Sequence, residues 1–316
     1  MIRVDNLVKH YGDFEALKGI SFEIQDGEIL GFLGANGAGK STTLKVMTGY
    51  LAPTAGNILF DGMNVVENSF QVREQIGYLP ETNPLYTEMK VFDYLEFTAR
   101  IRGLEGKAWN QALGRVVDRC DLSEVVHRPI AECSKGYRQR VGLAAAMIHD
   151  PKILILDEPV SGLDPNQIVE IRELIKDIGR EKMVVMSSHI LQEIAATVDR
   201  IVIIDHGVIV ADGTTETLMS SFQGRVQLTL EVAHASEETV QGLPLQVAGV
   251  DLKHSEPAED GTFRLSLEYE RNTDPREAIF NYAKMSGWAI LEMSPFRVQL
   301  EDVFRDLTAE GGPARA

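Results

Sequence analysis

Residues Gly34-Ala35-Asn36-Gly37-Ala38-Gly39-Lys40-Ser41 constrain this chain more tightly than any other stretch of it. Glycine at Gly34, Gly37 and Gly39 breaks regular structure, because glycine loses the most conformational entropy when ordered. Just upstream, Ile29-Leu30-Gly31-Phe32-Leu33 is an unbroken apolar run, as expected for a strand buried on both faces. Downstream, a helix is expected to begin at Lys40. Strand, tight turn and helix then follow in that order, and the order has a chemical consequence. Successive backbone N–H groups can turn inward around phosphate oxygens, and the helix N-terminus adds positive potential. In that arrangement Lys40 reaches the β- and γ-phosphates of a nucleotide, and the Ser41 hydroxyl ligates Mg²⁺.

The second half of such a site is expected at Ile153-Leu154-Ile155-Leu156-Asp157-Glu158-Pro159. A buried strand ending in two acids projects both carboxylates near the C-terminal edge of a sheet. Asp157 is placed to hold Mg²⁺ through a water. Glu158 is placed to orient or deprotonate the attacking water, a general-base role worth about 10²–10⁴-fold in rate. Further buried strands are expected at Met183–Met186 and Ile201–Ile204, and a helix at Gln167–Ile178. Near the N-terminus, Ile20, Phe22 and Ile24 alternate with polar residues before a turn at Asp26-Gly27. Strands alternating with helices predict an α/β fold around a largely parallel sheet.

Composition excludes several classes. A net charge of -16 over 316 residues argues against nucleic-acid binding, which needs clustered Lys and Arg. No stretch approaches the roughly 20 apolar residues that span a bilayer. The start, Met1-Ile2-Arg3-Val4-Asp5, lacks the apolar core of a signal peptide. Cys120 and Cys133 fit neither a disulfide framework nor a zinc spacing, which suits a reducing cytosol. The seven histidines are scattered, so no metal beyond the nucleotide's Mg²⁺ is expected.

The texture changes after about Ser220. Val226, Leu228, Leu230 and Val232 alternate with polar residues, as do Phe263, Leu265, Leu267 and Tyr269, so half-exposed strands are expected there. Helices are expected at Ser236–Gly242 and Pro275–Ser286, with a last strand at Trp288–Met293. The resulting order, βαββαβ, would suit a small ferredoxin-like α+β domain. A tail helix is expected at Glu301–Ala309, with Val303, Phe304 and Leu307 on one face.

Residues 1–220 resemble the ABC ATPase family. Beyond the two motifs above, Cys133-Ser134-Lys135-Gly136-Tyr137 is similar to the family signature Leu-Ser-Gly-Gly-Gln, keeping Ser134 and Gly136 and departing at three positions. Ser161-Gly162-Leu163-Asp164 resembles the D-loop, and Ser187-Ser188-His189 the switch histidine. The resemblance implies a P-loop core with antiparallel N-terminal strands, a helical subdomain at about 85–150, and an accessory domain at 221–316. It implies ATP and Mg²⁺ as ligands, with Gly34, Asn36, Gly37, Gly39, Lys40, Ser41 and Thr42 on the phosphates. Tyr11 is placed to stack on adenine, and Ser134, Gly136 and Asp164 to meet the ATP of a second ATPase subunit. His189, like Glu158, is expected to be catalytic. Glu81 stands where the family usually has Gln; it is expected to ligate Mg²⁺ as a hinge sensor, the alternatives being a solvated loop acid that points outward and a second base. The segments Lys135–Arg140 and Tyr78-Leu79-Pro80-Glu81 are most similar to gliding-motility-type and drug- or polysaccharide-export subunits. A transport ATPase under a separate transmembrane permease, peripheral on the cytoplasmic face of the membrane, is the implied role. A non-transport ABC ATPase in translation or DNA maintenance is the alternative.

Overall fold

The computed structural model describes residues 1–222, 225–258, 261–270, 273–296 and 304. The chain divides into two compact units, one built on Met1–Thr215 and the other on Glu216–Asp306.

The first unit opens with antiparallel strands β1 (Ile2–Tyr11) and β2 (Phe14–Ile24), then β3 (Ile29–Leu33), helix α1 (Lys40–Met47), β4 (Ala55–Phe60) and the short β5 (Met63–Asn64). Next come α2 (Ser69–Glu74), β6 (Ile76–Leu79), α3 (Val91–Ile101), α4 (Gly106–Arg119) and α5 (Lys135–Met147). The unit closes with β7 (Ile153–Leu156), α6 (Pro165–Gly179), β8 (Met183–Ser188), α7 (Leu191–Ala195), β9 (Arg200–Asp205) and β10 (Val208–Gly213). Helix α8 (Thr215–Phe222) follows. Two sheets result. The first is antiparallel, in the order β2-β1-β4-β5; the second runs β10-β9-β3-β8-β7-β6. In the second sheet β9, β3, β8, β7 and β6 are all parallel, and only β10 pairs antiparallel. Every residue of β3, β7 and β8 is buried, which is why these strands read as continuous apolar runs. A core joins the two sheets and α1: Ile2, Leu7 and Phe22 meet Leu30, Phe32 and Leu44 within one cluster.

Two boundaries in this unit differ informatively from the sequence pattern. Strand β8 runs two residues beyond Met186 because Ser187 and Ser188 pair with β3. Helix α6 starts at Pro165, two residues early, because the Asp164 carboxylate caps it, accepting the N–H groups of Asn166 and Gln167 at 3.1 and 3.0 Å. The helical region holds three helices, α3, α4 and α5, packed through Val91, Leu95, Ala99, Trp109, Val116 and Val141, all buried.

The second unit comprises β11 (Arg225–Ala233), α9 (Glu237–Gln246), β12 (Val250–Pro257), β13 (Phe263–Glu270), α10 (Arg276–Met285) and β14 (Ala289–Phe296). Its antiparallel sheet has the order β12-β13-β11-β14, a split βαβ arrangement. Leu228, Leu230, Leu265 and Leu267 project from the sheet into a core closed by Leu243, Ile279 and Trp288. Helix α9 continues to Gln246, beyond the expected Gly242, carrying Pro244 within it. The tail helix expected at Glu301–Ala309 lies, Phe304 apart, outside the described residues.

Candidate nucleotide site

The loop between β3 and α1 packs so closely at Gly34 and Gly39 that a side chain is excluded at both positions. A Cβ at Gly34 would sit 2.4 Å from the Ile204 carbonyl oxygen, and Gly39 has φ +117° with Leu17 2.8 Å from where its Cβ would be. Ala35, Asn36 and Gly37 are exposed at the loop's outer rim. Lys40, the first residue of α1, is buried, and its ammonium donates to the Gly34 carbonyl at 2.8 Å and the Ala35 carbonyl at 3.3 Å. The Thr43 hydroxyl donates to the Gly39 carbonyl at 3.0 Å, while Thr42 is half-buried beside Ser41.

The parallel strands end against this loop. Asp157, 1% exposed, accepts the Ser41 hydroxyl at 3.1 Å and the Ser187 hydroxyl at 2.6 Å. Glu158, also buried, has φ 50°, a conformation uncommon outside glycine that must be held by its surroundings. The holding contact is visible: its N–H donates to Ser187 Oγ at 3.0 Å. One carboxylate oxygen of Glu158 lies 3.4 Å from the Lys40 ammonium, and the other 2.8 Å from His189 Nδ1. Lys40, Ser41, Asp157, Glu158 and His189 thus form one connected cluster. Oxygen donors at Ser41 and Asp157 match what a hard divalent cation prefers. The buried Lys40 ammonium and the glycine-rich loop suit phosphate oxygens.

Most of the chain is similar in sequence to ATP-binding proteins of ABC transporters. An uncharacterized ABC transporter ATP-binding protein of Bacillus subtilis is 35% identical over 77% of this chain and 81% of its own. This chain belongs to the ABC transporter ATPase family. The ABC transporter family model matches residues 17–161. The linearmycin resistance ATP-binding protein of B. subtilis is 33% identical over 78% of this chain and 84% of its own. Among solved structures, an ATP-binding subunit of an ABC transporter superposes with a TM-score of 0.64 at 30% identity, covering 70% of this chain and 93% of that one. The protein is therefore an ATP-binding, ATP-hydrolysing subunit of an ABC transporter.

The ABC signature stretch lies apart from this cluster, at the start of α5. Ser134 is the helix N-cap, its hydroxyl accepting the Tyr137 N–H at 3.2 Å. Ser134, Gly136 and Asp164 line a shared cavity of about 400 Å³ beside Gln167 and Arg140, so two helix N-termini open onto one space. Tyr11 is exposed at the end of β1, with the Lys9 ammonium 5.4 Å from its ring centre. Glu81 is exposed just beyond β6 and makes no hydrogen bond or ion pair among the described residues. The structure does not bring Tyr11, Ser134, Asp164 or Glu81 into contact with the Lys40–Glu158 cluster.

Sequence reasoning missed three supporting residues. Ser187 ties both acids together; its signal was a serine pair closing an apolar strand. Asn83 donates to the Arg138 carbonyl at 2.8 Å, linking the segment after Glu81 to α5. Gln139 donates to the Pro159 carbonyl at 2.6 Å, linking α5 to the segment after Glu158. Neither link has a local sequence signal, since each spans distant stretches.

Proposed function

We propose that two such ATPase subunits close head to tail over ATP and so drive a separate transmembrane permease, in the direction of export. The observation carrying this is the Lys40–Glu158–His189 cluster. In it Glu158 is the base that takes a proton from the attacking water, and His189, on its second oxygen, holds the carboxylate in place and stabilises the developing charge. Mg²⁺, held by Ser41 and Asp157 with Glu81 at the hinge, would supply charge neutralisation at the β- and γ-phosphates. With the cluster as described, Lys40 shares its charge with Glu158. Phosphate oxygens compete for that ammonium, so ATP binding releases one carboxylate oxygen of the base toward water.

The remaining assignments support this reading. Gly34, Asn36, Gly37, Gly39 and Thr42 line the phosphates and Tyr11 stacks on adenine. Ser134, Gly136 and Asp164 of one subunit meet the ATP held by its partner, using the helix N-termini that face their shared cavity. The residues near Glu81–Val91 dock the permease, with residues 1–220 as the nucleotide-binding domain and 221–316 as an accessory domain. Among the described residues no helix is long and apolar enough to cross a membrane. That agrees with a subunit working on the cytoplasmic face beneath a separate channel. The name of the linearmycin resistance relative favours export.

Light scattering tests the assembly. Glu158→Gln with ATP should form a dimer that Ser134→Arg abolishes, and Lys40→Ala should prevent both ATP binding and dimerisation. A Glu158→Gln chain that binds ATP yet stays monomeric removes the head-to-tail model.

A further inference from the structure

Strand β1 ends at Tyr11, and the residues just before it are fastened to the segment that follows α1. The Thr54 N–H donates to the Val8 carbonyl at 2.8 Å, and the His10 N–H donates to the Thr54 hydroxyl at 3.0 Å. Beside them the Lys9 ammonium donates to the Ala52 carbonyl at 2.8 Å. These bonds fix both the strand end and the position of one positive charge on it.

Lys9 and Tyr11 are two apart on a strand, so their side chains leave it on the same face. The Lys9 ammonium stands over the Tyr11 ring, 5.4 Å from its centre. That lies within the roughly 6 Å at which the π face of a ring attracts a cation. Lys9 forms no ion pair with a carboxylate among the described residues, so no anion competes with the ring for it. The ring has need of the contact. Tyr11 is 46% exposed, and its hydroxyl makes no hydrogen bond among the described residues. An exposed ring without a support loses side-chain freedom each time a ligand stacks on it, which weakens binding.

The anchor also bears on which face of the ring is taken. Ala52 lies beyond the C-terminal end of α1, whereas the phosphate loop leads into the N-terminus of that helix at Lys40. Lys9 therefore comes to the ring from the side remote from the phosphates and leaves the other face for a base. A cation on one face draws π density toward itself, so the opposite face repels the π cloud of a stacked base less.

We propose that Lys9 is a positioning residue for the nucleotide base: its ammonium, held by the Ala52 carbonyl, keeps the Tyr11 ring in the orientation that receives adenine. The role rests on the reading that Tyr11 stacks on adenine, and Lys9 itself touches no part of the nucleotide. It acts on the affinity for the base and leaves the affinity for the phosphates alone.

Calorimetric titration of the full chain with ADP and with inorganic pyrophosphate, at one Mg²⁺ concentration, separates the two. The probes differ by the nucleoside, so the ratio of their Kd values measures what the base contributes. Lys9→Met keeps a long unbranched side chain without the charge and should lower that ratio about two- to fivefold, with pyrophosphate affinity unchanged. Lys9→Arg, which also sets a cation over the ring, should keep the ratio of the unaltered chain. Tyr11→Ala should lower it at least as far as Lys9→Met, and the two changes together should lower it no further than Tyr11→Ala alone. Three results overturn the role of Lys9 while leaving Tyr11 on adenine: ADP and pyrophosphate affinity falling in parallel, an unchanged ratio in Lys9→Met beside a lowered one in Tyr11→Ala, or an equal effect of Lys9→Met with and without Tyr11. An unchanged ratio in Tyr11→Ala removes instead the stacking itself, and the role of Lys9 with it.

Discussion

The two units of this chain use buried surface in opposite ways. The first places Lys40, Asp157 and Glu158 in its interior beside strands that are wholly apolar. The second has an interior of Leu, Val, Ile and aromatic side chains, and its few inward polar atoms satisfy one another. Tyr282 donates to the Thr239 carbonyl at 2.7 Å and Trp288 Nε1 to Thr239 Oγ1 at 3.1 Å. Buried charge is expensive unless paired, so it survives selection mainly where chemistry uses it. A parallel sheet makes this affordable in geometry, because all its strands end on the same side and deliver side chains from distant segments to one edge. An antiparallel sheet sends neighbouring strand ends in opposite directions and gathers no such cluster.

The contrast can be broken at its strongest point first. Glu158→Gln should lower ATP turnover by about 10²–10⁴-fold with nucleotide affinity retained. Steady-state hydrolysis and nucleotide titration, measured separately, check this. Turnover like that of the unaltered chain would move the base role elsewhere, with Glu81 the next residue to substitute. In the second unit an equally buried position should behave differently. Leu267→Ala removes a fully buried side chain and should cost about 2–5 kcal/mol in denaturant unfolding of that unit. ATP affinity and turnover should not change; a loss of turnover would show that the units are energetically one.

Ser187→Ala probes the support beneath the acids. Removing that hydroxyl strips Asp157 of one donor and the Glu158 N–H of its acceptor. A cost of about 1–3 kcal/mol is expected, together with a turnover loss smaller than that of Glu158→Gln. Unchanged stability and turnover would mean that the strained Glu158 backbone is held by other contacts.

A further effect is a pH dependence confined to the first unit. The His149 pKa is lowered from 6.5 to about 4, chiefly by burial. Between those values the unfolded chain binds a proton that the folded chain does not, so stability falls as pH drops from about 6.5 toward 4. Above about 6.5 the ring is neutral in both states and contributes no slope. His149→Gln should flatten the unfolding free energy across that window relative to the unaltered chain. An identical slope in both proteins would show that His149 takes up its proton while folded.

Much of the nucleotide site was legible because it is local. Strand, glycine turn and helix occupy consecutive residues, so Gly34–Ser41 announces its own backbone path. Strand and acids are likewise contiguous at Ile153–Glu158. Both runs are buried on two faces, and this shows directly as unbroken apolar sequence. The alternating pattern after Ser220 was equally readable, since a half-buried strand repeats every two residues.

By itself, then, the chain's sequence determined which residues could carry nucleotide chemistry, the α/β class, and the change of texture near residue 220. Tertiary structure alone decided who supports whom. Ser187 joins Asp157 to Glu158, Asn83 latches the segment after Glu81 to α5, and Gln139 ties α5 to Pro159. It also decided that Tyr78 and His149, 71 residues apart by their numbers, share one cavity with Arg73 and Arg102. The physical reason is the range of the interactions. Backbone preference and burial period are written in neighbouring residues, whereas a side-chain hydrogen bond between distant segments exists only once the sheet order has brought them together.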